Sequence, residues 1–353
     1  MKRIFLTLIS LFACLHSFTQ IVSIPDANFK AALLANPLVN TNFDTEIQVS
    51  EAVAFNGILS FSYNSISDLT GIAAFVNLTG LICIGNQITS LDLSSNLALT
   101  SLDCPGNQLT NLNISANTAL SKLYCSQNQL TSLDVSANTA LTVLICNMNQ
   151  ISSLDVSSNT ALTHLNCMVN QITSLNLNNH AALKFLYCNN NQLNTLNLNG
   201  ATALEYLQCS NNDDYTFLNL SGLANLSTMN CINSPSLQCI QVSNVAAANA
   251  NSNWTKDATV AYSLNCPTAL SNTESDLFDI YPIPANDKLT ITGIEDGDQL
   301  KIFNIFGQVV VKEVNLNEHF KTIGIESLSD GFYTIQVIRN QREYIKKFVK
   351  DTF

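Results

Sequence analysis

The chain has 353 residues, enough for two or three domains, and only 12% of them are charged. Its formal net charge is −11, and residues 20–270 contain only four cationic side chains. Nucleic acid is not an expected partner, because a groove that follows phosphates needs a basic stripe. An acidic membrane surface would also repel this chain.

Residues 1–19 have the pattern of a secretory signal peptide. A basic start is followed by an apolar core from Ile4 to Leu15, and small residues precede Gln20, where we expect cleavage. Lipid attachment at Cys14 is an alternative, although the residues around Cys14 fit a lipid-attachment box poorly. The segment is too short and wrongly flanked for a membrane span, and no other stretch is predicted to cross a bilayer.

Residues 20–56 are expected to cap the N-terminal end of the fold that follows. Asp26 is placed to N-cap a helix that runs to about Ala35, because an aspartate accepts hydrogen bonds from the first backbone amides of a helix. Pro37 then ends this helix.

The N-terminal cap also contains a segment, residues 40–51, with the oxygen-ligand spacing of an EF-hand-type calcium loop. The four candidate calcium ligands are Asn40, Asn42, Asp44 and Glu51. The fit is imperfect, because Asn replaces Asp at the first position and Thr45 stands where the sharp turn favours Gly. The alternative is a polar loop whose side chains satisfy backbone groups. Calcium is the only cofactor that the sequence raises.

A 21-residue repeat dominates the centre of the chain. Seven cysteines define it, namely Cys83, Cys104, Cys125, Cys146, Cys167, Cys188 and Cys209. An Asn follows each Cys by three residues, and a Leu precedes each Cys by two. Such a fixed period predicts a solenoid over residues 57–230 with one coil per repeat. The pattern resembles the leucine-rich repeat, with Cys in the place of a core Leu.

Each coil is expected to contain two extended segments. The motif L-x-x-L-x-C predicts a strand whose Leu and Cys side chains point inward, and the following Asn is expected to bond backbone groups of its own and the neighbouring coil. A second short strand is predicted at 91–93, 133–135 and 154–156. A coil of this length has no room for a helix as well, so the convex side should be extended or turn-like.

The ladder cysteines are predicted to be small buried hydrophobic residues with mostly free thiols. Stacked coils produce a column of sulfur atoms, whereas zinc requires a tetrahedral cluster. The parallel Cβ vectors of neighbouring coils lie slightly too far apart for disulfides. The sequence contains no nucleophile elbow, P-loop or HExxH motif, so no catalytic residue is predicted.

Residues 231–270 are predicted to cover the C-terminal end of the solenoid. The segment Asn244–Trp254 is rich in alanine and is expected to be helical. Cys239 and Cys266 fall outside the ladder in an exported chain, so we predict a disulfide between them. A link across these 27 residues would stabilise the cap by roughly 3 kcal/mol in the chain-entropy model.

Residues 271–275 form a short polar linker, and residues 276–353 alternate as short strands with turn signals, which predicts a small β-sandwich. Four motifs in this tail resemble the type A C-terminal sorting domain of the type IX secretion system of Bacteroidetes. They are Tyr281–Ala285, Ile302–Gln308, Gly331–Tyr333 and Lys346–Phe348. The resemblance implies handling by the type IX secretion machinery and a secreted or outer-membrane cell-surface location.

The predicted fold class is therefore mainly β: a leucine-rich-repeat solenoid of 21-residue coils with capping segments, plus a small C-terminal β-sandwich. Outward positions beside the inner Leu and Cys are the informative ones, because they vary while the core positions do not. In the middle and late coils they form a candidate partner-binding patch of Tyr124, Val143, Ile145, His164, Met168, Phe185, Tyr187 and Tyr206. The alternative is that strand propensity alone favours these residue types.

The sequence favours a non-catalytic extracellular binding or adhesion protein whose strand face holds a protein or glycan partner. One alternative is a structural envelope protein without a specific ligand. Another is an enzyme, whose site would lie at the C-terminal cap near Trp254 and Asp257.

Overall fold

The computed structural model describes residues 20–266, 278–304, 308–313, 320–339 and 342–351. The predicted signal peptide, the predicted linker and residues 305–307 of the second tail motif lie outside the described residues. The chain divides into two compact units, the first ending at Asn265 and the second beginning at Cys266. Among the described residues, no helix combines the length and the apolar character that crossing a bilayer requires.

Two short helices form the N-terminal cap, α1 (Ala27–Leu34) and α2 (Val49–Ala54). The Asp26 carboxylate accepts hydrogen bonds of 2.9 Å from the backbone N–H groups of Asn28 and Phe29, which confirms the predicted N-cap. The Phe29 ring is fully buried and lies 5.2 Å from the ring of Phe61 in the first coil. The cap therefore covers the open end of the solenoid with aromatic side chains.

Short strands make up the solenoid. They are β1 (Ile58–Ser60), β2 (Gly80–Ile82), β3 (Ser101–Asp103), β4 (Lys122–Tyr124), β5 (Val143–Ile145), β6 (His164–Asn166), β7 (Ser174–Asn176), β8 (Phe185–Tyr187), β9 (Thr195–Asn197), β10 (Tyr206–Gln208), β11 (Phe217–Asn219), β12 (Thr228–Asn230), β13 (Cys239–Gln241), β14 (Trp254–Thr255) and β15 (Ala261–Ser263). A single 3-10 turn, Ile72–Ala74, lies between β1 and β2, and the helix α3 (Val245–Ala250) lies between β13 and β14.

One strand from each coil joins a ten-stranded parallel sheet in the order β1-β2-β3-β4-β5-β6-β8-β10-β12-β14. Neighbouring strands pair in register, so that Leu102 stands opposite Leu81 on one side and Leu123 on the other. These leucines are fully buried, and so are the ladder cysteines that follow them. The structure confirms the solenoid of 21-residue coils.

The second strand of each coil is only partly as predicted. Segments 91–93, 133–135 and 154–156 are extended but form no strand, apart from an isolated bridge between Asp92 and Asn113. Paired strands occur later, where β7 pairs with β9, and where β13 pairs with β11 on one side and β15 on the other. The charge of the side chains at these positions offers a physical reason why the later segments pair and the earlier ones do not.

In the second extended segment of each coil, the outward side chain is an amide in some coils and a carboxylate in others. In β7 and β9 the amides of Asn176 and Asn197 hydrogen bond to each other at 3.1 Å. The equivalent side chains of the middle coils are the carboxylates of Asp134 and Asp155, which repel each other. The paired form occurs where two neutral amides are neighbours, and it is absent where one or both neighbours are carboxylates, apart from the Asp92–Asn113 bridge.

A buried column of asparagines links every coil to the one before it. The Asn107 amide nitrogen donates to the backbone oxygens of Cys83 and Cys104 at 3.0 and 3.1 Å, and its oxygen accepts from the Ile88 backbone N–H at 3.1 Å. The same arrangement recurs through Asn212. Each amide thus satisfies three backbone groups that the turn would otherwise bury without partners.

A second buried column lies on the opposite side of the coils and contains Asn96, Asn117, Asn138 and Asn159. The Asn159 amide nitrogen donates to the backbone oxygens of Val135 and Asn138 at 3.0 and 2.8 Å. His180 continues the column, but its ring makes only one such bond, from Nε2 to the Val156 oxygen at 3.1 Å. Among the described residues its Nδ1 is buried without a partner, and so are the side-chain oxygens of the four asparagines in this column.

The irregular repeat near residue 212 places a tyrosine inside the core. Cys231 follows Cys209 by 22 residues, and the additional residue lets the loop fold inward. The Tyr215 side chain is fully buried, and its hydroxyl lies 3.1 Å from the Cys209 backbone oxygen and 3.2 Å from the Ser234 hydroxyl. The extra residue is thus compensated by a buried ring with a satisfied polar end.

The C-terminal cap contains a shorter helix than predicted. Helix α3 begins after Asn244, whose side chain accepts from the Ala247 backbone N–H at 3.0 Å, and it ends before Asn251. The Asn251 side chain accepts from the Asn253 backbone N–H at 3.0 Å, which turns the chain away from the helix. Trp254 consequently lies in β14, as the last strand of the large sheet, and packs against the core.

The disulfide between Cys239 and Cys266 is confirmed. Cys239 lies in β13, which pairs with β15 of the same cap. The ladder cysteines, together with Cys231, are free and buried.

The second unit is a β-sandwich of two antiparallel sheets, as predicted. Its strands are β16 (Asp279–Tyr281), β17 (Lys288–Thr292), β18 (Gln299–Phe303), β19 (Val309–Glu313), β20 (Phe320–Gly324), β21 (Gly331–Arg339) and β22 (Arg342–Lys350). One sheet has the order β16-β17-β20, and the other has the order β19-β18-β21-β22. Ile291, Ile302, Ile335 and Phe348 pack between them.

Replacing His180 with Asn is expected to stabilise the solenoid. An Asn at this position can make both amide bonds that Asn159 makes, whereas the imidazole makes one. We expect His180→Asn to raise the free energy of unfolding by about 1 kcal/mol in urea titrations. His180→Ala is the control and should lower it, and a destabilised His180→Asn variant would contradict the proposed role of the column.

Candidate functional site

The predicted patch residues lie on one face of the ten-stranded sheet. Two rows of side chains cross the strands beside the buried leucines. One row contains Val143, His164, Phe185 and Tyr206, and the other contains Tyr124, Ile145, Asn166 and Tyr187. Met168 lies just beyond β6, after the inward Cys167. All of the predicted patch residues are half-buried, and we call this set the strand-face patch.

Aromatic stacking organises the C-terminal half of the strand-face patch. The rings of His164 and Phe185 are stacked with centroids 4.5 Å apart and an interplanar angle of 21°. The rings of Tyr187 and Tyr206 lie 5.1 Å apart at 37°. Burial, with a smaller contribution from Tyr206, raises the pKa of Tyr187, so its hydroxyl remains protonated at neutral pH. These ring contacts restrict the orientations of all four side chains.

Polar groups flank the stacked rings. The Gln208 amide nitrogen donates to the Tyr206 hydroxyl at 2.7 Å, and the Thr163 hydroxyl lies 2.9 Å from His164 Nδ1. Lys184 and Glu205 form an ion pair of 3.0 Å in the coils that carry the aromatic pairs. The Lys184–Glu205 pair and Gln208 were not among the predicted site residues. Gln208 could have been found, because it lies two residues after Tyr206 on the same strand and so shares its face.

A second apolar group at the edge of the sheet was also missed. Met148 and Val169 are exposed and have backbone φ angles of 56° and 54°. Gly106 and Asn190 occupy the same position, two residues after the Cys, in other coils. Gly and Asn at this position were the available sign of a left-handed backbone, because these residues tolerate that conformation.

The cysteine ladder has the properties of a core rather than of a reactive site. Burial raises the pKa of the Cys83, Cys125, Cys167 and Cys209 thiols to about 12. The thiolate is the reactive form of cysteine, and it is scarce at neutral pH when the pKa is this high. The described residues contain no group of three or more His, Cys, Asp or Glu side chains placed to hold a metal ion.

The candidate calcium ligands hydrogen bond within their own loop. The Glu51 carboxylate accepts from the backbone N–H groups of Thr41 and Gln48 at 2.8 and 3.0 Å. Burial would raise the pKa of Glu51, but its hydrogen bonds outweigh burial and lower the pKa. Asp44 accepts from the side-chain amides of Asn42 and Gln48 at 3.0 and 2.8 Å. These donors occupy oxygens that a calcium ion would need.

The Asn40 side chain behaves differently from the other candidate ligands. Its amide nitrogen donates to the backbone oxygens of Leu34 and Asp44 at 3.3 and 3.1 Å, which holds the loop closed. Its oxygen is buried without a partner. The loop geometry favours the polar-loop alternative, and calcium binding stays a prediction.

The C-terminal cap was the candidate location for an enzyme site. A groove of about 150 Å³ lies there and is lined by Leu220, Leu223, Ala224, Leu226, Val242, Ser243, Asn244, Ala247, Ala248, Asn251 and Trp254. None of these side chains is ionisable. Asp257 accepts from the backbone N–H groups of Asn233 and Ser234 at 3.0 Å each, so its carboxylate completes the preceding turn.

The stacked parallel coils, the asparagine column and the inward Leu and Cys side chains define the first unit as a leucine-rich-repeat solenoid. Residues 279–351 match the family of secretion system C-terminal sorting domains, which confirms the resemblance of the tail. A sorting domain of this kind indicates a secreted or cell-surface protein. Comparison with curated protein sequences gives no significant match.

Several solved structures are similar to this chain. The functional domain of InlJ from Listeria monocytogenes, which includes a cysteine ladder, is 22% identical with a TM-score of 0.48, covering 95% of this chain and 98% of that chain. InlP from the same organism is 16% identical with a TM-score of 0.49, covering 94% and 100%. PorZ, a surface component of the type IX secretion system of Porphyromonas gingivalis, is 19% identical with a TM-score of 0.20, covering 23% and 12%. The fold assignment rests on the coils themselves.

The ladder thiols are expected to stay reduced and unreactive in the folded protein. Ellman's reagent should detect almost no thiol in the native protein that begins at Gln20, because the sulfurs are buried. Denaturation without reductant should then expose eight thiols per chain, from Cys83 to Cys231. Detection of no thiol after denaturation would mean that the ladder sulfurs had paired.

Calcium should leave the thermal stability of the protein unchanged if the loop hydrogen bonds alone hold residues 40–51. Glu51→Gln should lower the free energy of unfolding by about 2 kcal/mol with or without calcium, because a charged acceptor of several hydrogen bonds is lost. Melting curves with calcium and with a chelator measure both effects. A calcium-dependent stabilisation that Glu51→Gln abolishes would instead establish a calcium site.

Proposed function

We propose that this protein is a non-catalytic binding or adhesion module that acts outside the cell and holds a protein or glycan partner on the strand-face patch. The observation that carries the proposal is the arrangement of stacked aromatic side chains on neighbouring strands of one sheet. Solvated strand faces usually carry Thr, Ser and charged residues, whereas His164, Phe185, Tyr187 and Tyr206 form two stacked aromatic pairs on neighbouring strands here.

The strand-face patch has the anatomy of a recognition surface. Rigid aromatic rings offer a large contact area at little cost in conformational entropy, and Tyr adds a hydroxyl that can hydrogen bond to a partner. Gln208 and the Lys184–Glu205 ion pair supply polar groups around the rings. An apolar centre with a polar rim is the usual composition of specific interfaces.

The absence of catalysis remains part of the proposal. The ionisable groups that were considered as catalytic candidates support it, because each of them is buried or makes a contact within the fold. The ladder thiols are buried, and Asp257 completes a turn. The stacked ring of His164 lies beside the Thr163 hydroxyl.

The structural envelope protein is the second candidate. It would need no specific ligand, and the aromatic residues would then serve only to stabilise the strands. A half-buried location of the rings is compatible with that role, so the experiment must separate stability from binding.

Removing two rings of the patch should weaken binding without unfolding the protein. Tyr187→Ala combined with Tyr206→Ala removes a stacked pair, and we expect about tenfold or more loss of affinity for material captured by the immobilised protein. Capture from the medium in which the source bacterium grows, followed by protein mass spectrometry and a glycan array, identifies the partner class. Circular dichroism checks the fold.

Phe43→Ala combined with Tyr63→Ala is the matched control, because it removes two exposed aromatic side chains outside the strand-face patch. Capture by this control should equal that of the unmodified protein. Tyr187→Phe combined with Tyr206→Phe keeps the rings and tests the hydroxyl groups. Equal capture by the unmodified protein and by the Tyr187→Ala, Tyr206→Ala variant would reject the strand-face patch and favour the structural role.

A further inference from the structure

The sorting domain carries a cationic and apolar face on the outer side of its four-stranded sheet. Three neighbouring cross-strand rows carry the lysines and the exposed apolar residues of this face. They are Lys312–Lys301–Gln336–Ile345, Val309–Phe303–Thr334–Lys347 and Phe332–Val349. The opposite side of the same sheet, with Leu300, Ile302 and Ile335, packs into the core. We call the outer side the basic sheet face.

Two lysines on this face stand directly opposite each other. Lys301 on β18 pairs with Lys312 on β19, and like charges in this relation destabilise a sheet. No ion pair involves Lys301, Lys312 or Lys347 within the part of the domain that the structure describes. None of the described side chains in these three rows is acidic. The next row along the sheet is Gln299–Ile338–Glu343, so the same side carries one glutamate position against three lysines.

Other cations of the same domain have carboxylate partners. Arg339 forms ion pairs with Asp298 at 2.6 Å and with Glu295 at 2.8 Å. Lys346 pairs with Asp279, and Lys350 contacts Asp330. The domain therefore contains enough acidic residues to neutralise lysines, yet it leaves those of the basic sheet face without them.

The centre of the basic sheet face contains an unsatisfied amide. Gln336 lies between Lys301 and Ile345 in the same row and is only 8% exposed. Its side-chain oxygen has no hydrogen-bond partner among the residues that the structure describes. A buried acceptor without a partner costs free energy, and a docked protein that supplied a donor would recover it.

Apolar side chains surround these polar groups. Phe332 is 67% exposed, Ile345 is 53% exposed and Val309 is 49% exposed. Such exposure of large apolar residues within one sheet face is typical of surfaces that bind another protein. A charged polysaccharide would pair with the lysines but would leave these apolar groups in contact with water.

We propose that the basic sheet face docks the sorting domain onto an acidic, partly apolar protein surface of the secretion machinery. Lys301, Lys312 and Lys347 would pair with carboxylates of that surface, and Phe332 and Ile345 would pack against its apolar centre. Removal of the repulsion between Lys301 and Lys312 on docking adds to the selectivity for an acidic partner. This proposal is independent of the strand-face patch.

Charge-removing substitutions test the docking surface in the complete protein. Lys301→Gln combined with Lys312→Gln should reduce export in a bacterium with this secretion system by about tenfold, with accumulation in the periplasm, because charge pairs at an interface accelerate association. Quantitative immunoblots of medium, cell surface and periplasm measure the distribution. Lys301→Arg combined with Lys312→Arg should restore export, since it restores the charge.

Lys288→Gln combined with Lys321→Gln is the matched control, because it removes two charges from the other sheet of the domain. The control should be exported normally, and thermal melts of both purified Gln variants should show folded domains. Normal export of the Lys301→Gln, Lys312→Gln variant would overturn the proposal. Normal export with loss of surface retention would also overturn it and would assign the face to an anionic surface glycan.

Discussion

The solenoid depends on the hydrogen bonds of one asparagine per coil. The turn that follows each strand of the large sheet buries backbone carbonyl and amide groups, and these groups need partners. Each Asn side chain satisfies a carbonyl in its own coil, a carbonyl in the preceding coil and an amide in the preceding coil, as Asn107 does with Cys104, Cys83 and Ile88. An unmade bond of this kind would cost about 1–3 kcal/mol.

This constraint fixes the register of everything else in the coil. Because Asn must reach the carbonyl of a Cys 24 residues earlier, the cysteines are held in one buried column. The outward positions beside them carry no such constraint. They are therefore the positions where this chain can vary, and in the later coils it places stacked aromatic rings there.

The parts of the fold that follow from local rules could be predicted from the sequence. The 21-residue period gave the solenoid, Asp26 gave the start of the first helix, and the two cysteines outside the period gave the disulfide. Parts that depend on contacts between coils could not be predicted. The period shows that Asp134 and Asp155 are equivalent, but it does not show which of the equivalent segments pair as strands with their neighbours.

For the candidate site, too, positions could be predicted from the sequence, whereas contacts between coils could not. The period placed the patch residues on one face, but it could not show which rings stack or that Gln208 donates to Tyr206. The predicted length of the helix in the C-terminal cap was too great, because it was based on alanine content. The turn at Asn251 and the pairing of β14 with β12 end the helix earlier. In that case a tertiary strand pairing outweighed local propensity.

The proposed binding surfaces of the two units stand out for the same physical reason. A sequence that specifies a stable fold satisfies its local rules, and departures from those rules tend to occur where another molecule must bind. In the solenoid the departure is a set of aromatic rings where a strand face would ordinarily be polar. In the sorting domain it is a pair of lysines opposite each other beside an unsatisfied amide, although carboxylates are available in the same domain. Neither feature is needed to hold the core of its unit together. Selection for stability alone would remove the lysine pair, whereas strand propensity accounts for aromatic residue types but does not require them to stack on one face.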